Sequence, residues 1–169
     1  MVNQMSKAIG VLTLFTLLAT GMFAQKASPS ATETGMIGDA KVTIQYHQPG
    51  VKGREVWGGL IPYDNVWRTG ANNATVFETT EDIVIGSEGK TLKAGKYGLW
   101  TIPGKKKWTW IFSSTWDTWG TNYDPSADVL RVTGDFTKRE EPMERMTIKI
   151  DSDKISLHWA EMVASVKVQ

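Results

Sequence analysis

Residues 41–47, KVTIQYH, set Val42, Ile44 and Tyr46 against Lys41, Thr43, Gln45 and His47 in strict alternation. A period of two puts one set on a buried face and the other on a wet one, as in a half-buried β-strand. Related short runs follow along the chain: ATVFETT, DIVIG, the apolar part of KAGKYGLWTIPG, KWTWIFS, DVLRVTG, ERMTIKID, KISLHWA and MVASVKV. Turn residues separate them, as in SEGK and DSDK, and Gly95 in KAGKY supplies a position for positive φ before Tyr97. No long segment has an apolar stripe at i, i+3 and i+4. The one candidate helix follows Ser113 and is short and rich in Trp, Gly and Pro. About nine short strands with turns every ~8–12 residues predict an all-β, single-domain antiparallel β-sandwich or small barrel. Trp100, Trp108 and Trp110 fall on such strands and are expected to fill the core, each indole N–H needing a partner.

The chain has no cysteine, so no disulfide can staple it and burial must stabilise it. The amino terminus places Lys7 before an uncharged run that ends near Phe23. This is the pattern of a secretory signal peptide over residues 1–24, with cleavage after Ala24. Gly10, Thr13, Thr16, Thr20 and Gly21 dilute the run, and it is shorter than the roughly 20 apolar residues of a spanning helix. No stable membrane insertion is expected after cleavage, and the location is periplasmic or secreted. A flexible lead-in over residues 25–35, able to become an edge strand, precedes the β-domain at 36–169. The full chain carries 19 Lys and Arg against 18 Asp and Glu, and Lys7 is one of the 19. The mature chain is therefore neutral in formal charge, which argues against nucleic acid as a partner. The run GKKKW at 104–108 reads as a solvated hairpin tip.

Enzyme signatures are absent. There is no G-x-S-x-G, H-E-x-x-H or G-x-G-x-x-G. EGKT at 88–91 resembles the end of a phosphate loop, but Val84 stands where its first glycine belongs, so it reads as a turn. His47 and His158 have no second metal ligand at close spacing, and His158 reads as a strand residue with a satisfied ring. Asp117, Asn122, Asp124 and Asp128 crowd one stretch without the spacing of a helix-loop-helix calcium site. No metal or other cofactor is expected.

What exceeds structural need is the glycine-rich segment 46–70, YHQPGVKGREVWGGLIPYDNVWRTG, which lacks a strand pattern yet is dense in aromatic and basic residues. Loops of such length in a compact domain are commonly functional. It runs into VWRTGANNAT at 66–75, where Gly70 is expected to make the turn and Val66 and Trp67 to face inward. TWDTWGTNYDP adds Trp116, Trp119 and Tyr123. Aromatic faces interleaved with amides and cations suit a polar ring such as a sugar, and they equally suit a lid folded over the core. The candidate ligand-binding residues are Arg54, Trp57, Trp67, Arg68, Asn72, Trp119 and Tyr123. Arg68 has two readings, a clamp for a carboxylate or phosphate, or a lock on loop carbonyls and a nearby aspartate. The second is preferred, because no other arginine is close to it in sequence.

The strings QPGVKGREVWGGLIPYDNVWRTGANNAT, LKAGKYGLWTIPGKKKWTWIFS and WGTNYDPSADVLRV resemble the bacterial family of unknown function DUF2911, over about Ser28 to Val168. The resemblance implies a secreted or periplasmic bacterial β-domain and transfers no catalytic residue.

The leading functional expectation is a module that binds a polar small molecule or glycan. The alternatives are a hydrolase using Asp64, His47, Asp117 or Asp124 as acid or base, and a structural, envelope-associated protein. For the signal peptide, expression in a bacterial host followed by mass measurement of the exported protein should return a chain beginning at Gln25. Full-length protein retained in the membrane fraction would contradict cleavage.

Overall fold

The computed structural model describes residues 28–169. The expected signal peptide and residues 25–27 of the lead-in lie outside the described residues. Nine strands make up nearly all the regular structure of the described residues: β1 Ser30–Ile37, β2 Ala40–His47, β3 Thr75–Thr79, β4 Ile83–Ile85, β5 Lys90–Leu92, β6 Gly95–Ile102, β7 Trp108–Ser113, β8 Asp128–Ile150 and β9 Lys154–Lys167. One 3₁₀ turn, Pro125–Ala127, precedes β8. Seven strands form one antiparallel sheet in the order β1-β2-β3-β6-β7-β8-β9, and β4 and β5 form a small hairpin of their own. The alternation in β2 is realised, with Val42, Ile44 and Tyr46 buried. Residues 30–35 of the lead-in belong to β1, an edge strand paired along its whole length with β2. The expected turns at SEGK, GKKKW and DSDK fall between β4 and β5, β6 and β7, and β8 and β9.

The sheet curls until its two sides approach. Beyond β2, Val51 N–H donates to Glu144 O at 2.8 Å and Met146 N–H donates to Pro49 O at 3.0 Å, so the chain leaving β2 pairs with the far part of β8. Ile148 N–H donates to the Tyr46 hydroxyl oxygen at 3.0 Å. On β1, a Cβ at Gly35 would lie 2.6 Å from Ile150 Cγ2, an approach that a side chain could not allow. The two architectures read from the sequence, sandwich and small barrel, thus meet in one strongly curled sheet.

The largest difference from the sequence pattern concerns the last two strands. DVLRVTG and ERMTIKID read as separate strands but are parts of the single 23-residue β8, and KISLHWA and MVASVKV are parts of β9. The intervening polar residues, read as a break, are a bend within a continuing ladder. Between Lys138 and Met143 the register advances five residues against two on the partner strand, from Met162 to Ala160. Such an excess bends and twists the longer side. Pro142, which has no N–H for the ladder, sits inside this irregularity, and Ala160 opposite takes φ +48°. The fold-over is large enough that Val168 N–H donates to Asp153 O at 3.0 Å. In an unbent strand those residues would lie about 50 Å apart.

The core is built on tryptophan. Trp108, Trp110 and Trp159 are fully buried, and Trp57, Trp67 and Trp100 nearly so. Trp57 packs edge-on against Trp67, Trp108 and Trp159 with centroid distances of 5.7, 5.0 and 5.6 Å, and Trp67 stacks on Trp159 at 5.8 Å. Trp67 Nε1 donates to Gly70 O at 3.0 Å. Against expectation, the Nε1 atoms of Trp57, Trp100, Trp108, Trp110 and Trp159 have no hydrogen-bond partner. Magnitudes show why this is tolerable. An indole removes on the order of 200 Å² from water, about 5 kcal/mol at 25 cal/mol per Å², whereas an unmet N–H costs about 1–3 kcal/mol.

Because Trp57 touches the other three rings, Trp57→Ala is expected to lower unfolding free energy by about 3–5 kcal/mol in urea titration. Trp119→Ala, at a residue 52% exposed, should change it by less than about 0.5 kcal/mol.

Candidate functional site

The segment from Gln48 to Ala74 connects β2 to β3 without regular structure of its own. It is ordered by what it pins down. Leu60 N–H and Ile61 N–H donate to Glu55 O and Val56 O at 2.9 and 2.8 Å, closing a tight loop that drops Trp57 into the core. Trp67 exchanges backbone hydrogen bonds with Thr101 of β6 at 2.8 and 2.9 Å. Thr69, fully buried, donates its hydroxyl to Thr101 Oγ1 at 3.2 Å, and Thr75 Oγ1 donates to Thr69 O at 2.8 Å. The polar corner at 66–75 is therefore knitted to the sheet by its threonines.

This knitting imposes strain. Lys52, Asp64, Thr69 and Asn72 all take left-handed φ between +49° and +60°, so four of the five non-glycine residues with positive φ among the described residues lie in this segment. For β-branched Thr69 the conformation is a true outlier. Gly70 was expected to make the turn, but the left-handed positions are Thr69 and Asn72. Gly70 is required for space instead, since a Cβ there would lie 3.0 Å from both His47 O and Thr75 Oγ1. Val66, expected to face inward, is 36% exposed, while Trp67 is buried as expected.

Between the segment and the curled sheet lies a cavity of about 410 Å³. Trp67 and Trp159 form its aromatic floor, Leu60 and Val66 its apolar rim, and Arg54, Arg68 and Asn72 face it with Lys52 and Asn65. No carboxylate lines it. Four of the seven candidate residues, Arg54, Trp67, Arg68 and Asn72, therefore share one concavity, and Lys52, Asn65 and Trp159 join them. Lys52 and Asn65 carried no sequence signal beyond membership of the long loop, and Trp159 arrives from β9, remote in sequence. The other three candidates lie elsewhere. Trp57 is under the floor, in the core. Trp119 lies on the surface, in a segment bridged to Asn73. Tyr123 packs on Trp100 at 5.0 Å, donates to Asp128 Oδ2 at 2.6 Å and accepts from Arg131 at 2.7 Å. Burial, then the Asp128 carboxylate, pushes the Tyr123 phenol up to about 12.

The two arginines in the cavity differ. Arg54 is tied to its own loop, donating to Gly50 O at 2.6 Å and Val51 O at 3.1 Å. On its other side it borders a shallower groove that also holds Glu55, Glu144 and Glu161. Arg68 has one long contact, NH1 to Gly120 O at 3.4 Å, and its buried Nε has no partner. The aspartate that a locking role would use is not bonded to it. Burial draws its pKa below the usual guanidinium value. Gly120 holds it in place by being small, for a Cβ there would overlap Arg68 Cδ and Asn72 O.

The acid-base groups considered for hydrolysis do not form one set. Asp124 caps the 3₁₀ turn, accepting from Ser126 N–H and Oγ at 2.9 and 2.7 Å. Asp64 N–H bonds Pro103 O beside the β6–β7 hairpin. His47 and Asp117 line a second groove of about 350 Å³, with Lys96 set over the Trp116 ring at 4.0 Å. Among the described residues no three His, Asp or Glu side chains gather where they could hold a metal.

His158 sits 2.9 Å from Ser156 Oγ through Nε2 and 2.8 Å from Arg139 through Nδ1. Arginine only donates, so Nδ1 must be the acceptor and Nε2 carries the proton. The imidazole therefore donates to Ser156, the reverse of what activates a serine nucleophile. Its ring is satisfied at both nitrogens, as the sequence suggested. Burial first, then the charges of Arg139 and Lys149, lowers the His158 pKa. The unfolded chain therefore binds a proton more readily, and His158 contributes stability above about pH 6.5 that is lost as pH falls through the folded value. Urea midpoints measured from pH 7.5 downward should decline in this window in wild type, and the decline should shrink in His158→Gln.

No curated protein matches this chain, and no solved structure does. The family model described as protein of unknown function (DUF2911) matches residues 28–168, all but the last of the described residues. The strands, the long loop and the cavity all lie within that match, and the chain belongs to the DUF2911 family.

Proposed function

We propose that this protein is an exported binding module for a polar small molecule or a sugar unit, held in the cavity between the 48–74 segment and the curled sheet. The observation that carries the reading is the lining. An aromatic floor of Trp67 and Trp159 stands beside Arg68 and Asn72 in about 410 Å³, within the ~300–1,000 Å³ range of small-ligand sites. Such sites pair an apolar body with a few placed polar groups, the one for contact area and the other for orientation. The strained backbone adds support, since left-handed Lys52 and Asn72 both border the cavity and strain of this kind gathers at ligand clamps. The hydrolase alternative has less behind it. Its carboxylates are engaged in caps or divided between separate places, and the one Ser–His contact has the wrong proton direction.

The test is titration of the purified protein with polar metabolites and mono- and oligosaccharides, read by calorimetry and tryptophan fluorescence, which Trp67 and Trp159 make sensitive to occupancy. Leu60→Trp, on the 40% exposed rim, should narrow the mouth and weaken binding at least about tenfold, a loss of about 1.4 kcal/mol, with little change in melting temperature. Binding that survives Leu60→Trp but disappears in Trp119→Ala would relocate the site and refute this reading.

A further inference from the structure

We propose that the cavity selects an anionic ligand, a small molecule whose carboxylate or phosphate group is seated on the Arg68 guanidinium while its body lies along Trp67 and the apolar rim. This rests on the cavity being the binding site and specifies what it binds.

The argument begins with charge. Lys52, Arg54 and Arg68 face the cavity and no carboxylate does. Elsewhere the protein pairs charges when they come close, as in Lys93 with Asp82, Arg131 with Asp128, and Lys107 with Asp135. Arg54 is already bonded to the Gly50 and Val51 carbonyls and borders a groove that also holds Glu55, Glu144 and Glu161. Arg68 is less engaged. It makes one 3.4 Å contact to a neutral carbonyl, and its Nε is buried without a partner.

Arg68 is half-buried, and removing part of a cation from water costs free energy that an arriving anion would offset. A planar guanidinium offers a fork that matches the two oxygens of a carboxylate or of a phosphate, so the terminal N–H groups of Arg68 can meet an anion and compensate its charge. A neutral ligand would satisfy donors but leave the charge. The position is also built and not incidental. The Arg68 stem crosses Gly120 where any Cβ would overlap it, and the backbone on either side is fixed by buried Thr69 and by Gly120 N–H donating to Asn72 O at 3.1 Å. Asn72 borders the same space; its Nδ2 donates to Ser28 O at 3.5 Å, and its side-chain oxygen can accept from a second polar edge. The aromatic floor gives the remainder of the ligand a surface, so the geometry favours an oxyanion attached to a ring or short chain over a bare inorganic ion.

Matched pairs of probes separate charge from shape. Glucuronate and glucose 6-phosphate are titrated against glucose, and gluconate and inorganic phosphate test the need for a ring and for an organic body. The expected result is binding of one or more organic anions, at least about tenfold tighter than glucose, weakening as sodium chloride rises from about 0.05 to 0.5 M. Arg68→Gln should remove at least tenfold of that affinity, Arg68→Lys should restore part of it, and Lys52→Gln should have a smaller effect. Melting curves of each variant establish that it is folded, and Arg68→Lys with Lys52→Gln keeps the test open should Arg68→Gln fail to fold. Glucose binding as tightly as glucuronate, or anion binding unchanged by Arg68→Gln, overturns the inference and leaves the binding module standing. Leu60→Trp without effect on bound glucuronate overturns the location for both. Absence of binding across the whole series removes the module and this inference together.

Discussion

The contact of Trp57 with Trp67, Trp108 and Trp159 holds the rest of the structure together. The four rings come from the irregular segment, β7 and β9, elements far apart in sequence. Without disulfides, a 27-residue connection of this kind would cost too much chain entropy to fix unless large surfaces were buried at more than one point along it. Trp57 and Trp67 are those points. Once they are seated, the chain between them has little freedom, and the polar groups beyond Trp67 are delivered to fixed positions. Trp67 and Trp159 therefore serve as core on one side and as cavity floor on the other, so stability and cavity geometry share a common source.

Electrostatics separates the cavity from the remaining surface. The exposed ion pairs and hydrogen-bonded carboxylates of the hairpins are ordinary solvated contacts of small energy. Asp82, for example, is held below its usual pKa mainly by its hydrogen bond from Lys93. Arg68 stands apart because burial acts on it without a compensating carboxylate. A chain with a formal net charge of only +1 can thus present a locally cationic recess, a feature that net charge averages away.

The fold class was legible because a period of two survives in β1, β2, β3 and parts of β8 and β9, β2 most plainly, and because turn residues mark the hairpins. The joining of the last four runs into β8 and β9 was not legible. A bend inside a ladder uses the same polar residues, glycine and proline as a break, and only the pairing across to Met162 and Ala160 distinguishes them. The grouping of four candidate residues around one cavity was legible for a simple reason. Arg54, Trp67, Arg68 and Asn72 lie on one loop, so local composition sufficed to group them. Trp159 reaches the cavity through β9 pairing, and no pattern near KISLHWA marks that. Trp119 and Tyr123 share the composition of a binding loop, but one is left on the surface and the other is tied to Asp128 and Arg131. Composition does not encode which way a ring points.

The fold-over of the β8–β9 hairpin has a consequence for how the molecule comes to exist. Its closing hydrogen bonds join Pro49 and Val51 to residues near 145, and Val84 to the terminal Gln169. Such contacts span about half of the chain or more, and topologies dominated by them form slowly. The segment after β2 gains its backbone partners only when Glu144 and Met146 of β8 are present. Slow closure of this kind leaves a nascent chain open for longer. For the export proposed above, that delay is an advantage: the same long-range pairing that closes the cavity keeps the chain threadable until it has arrived.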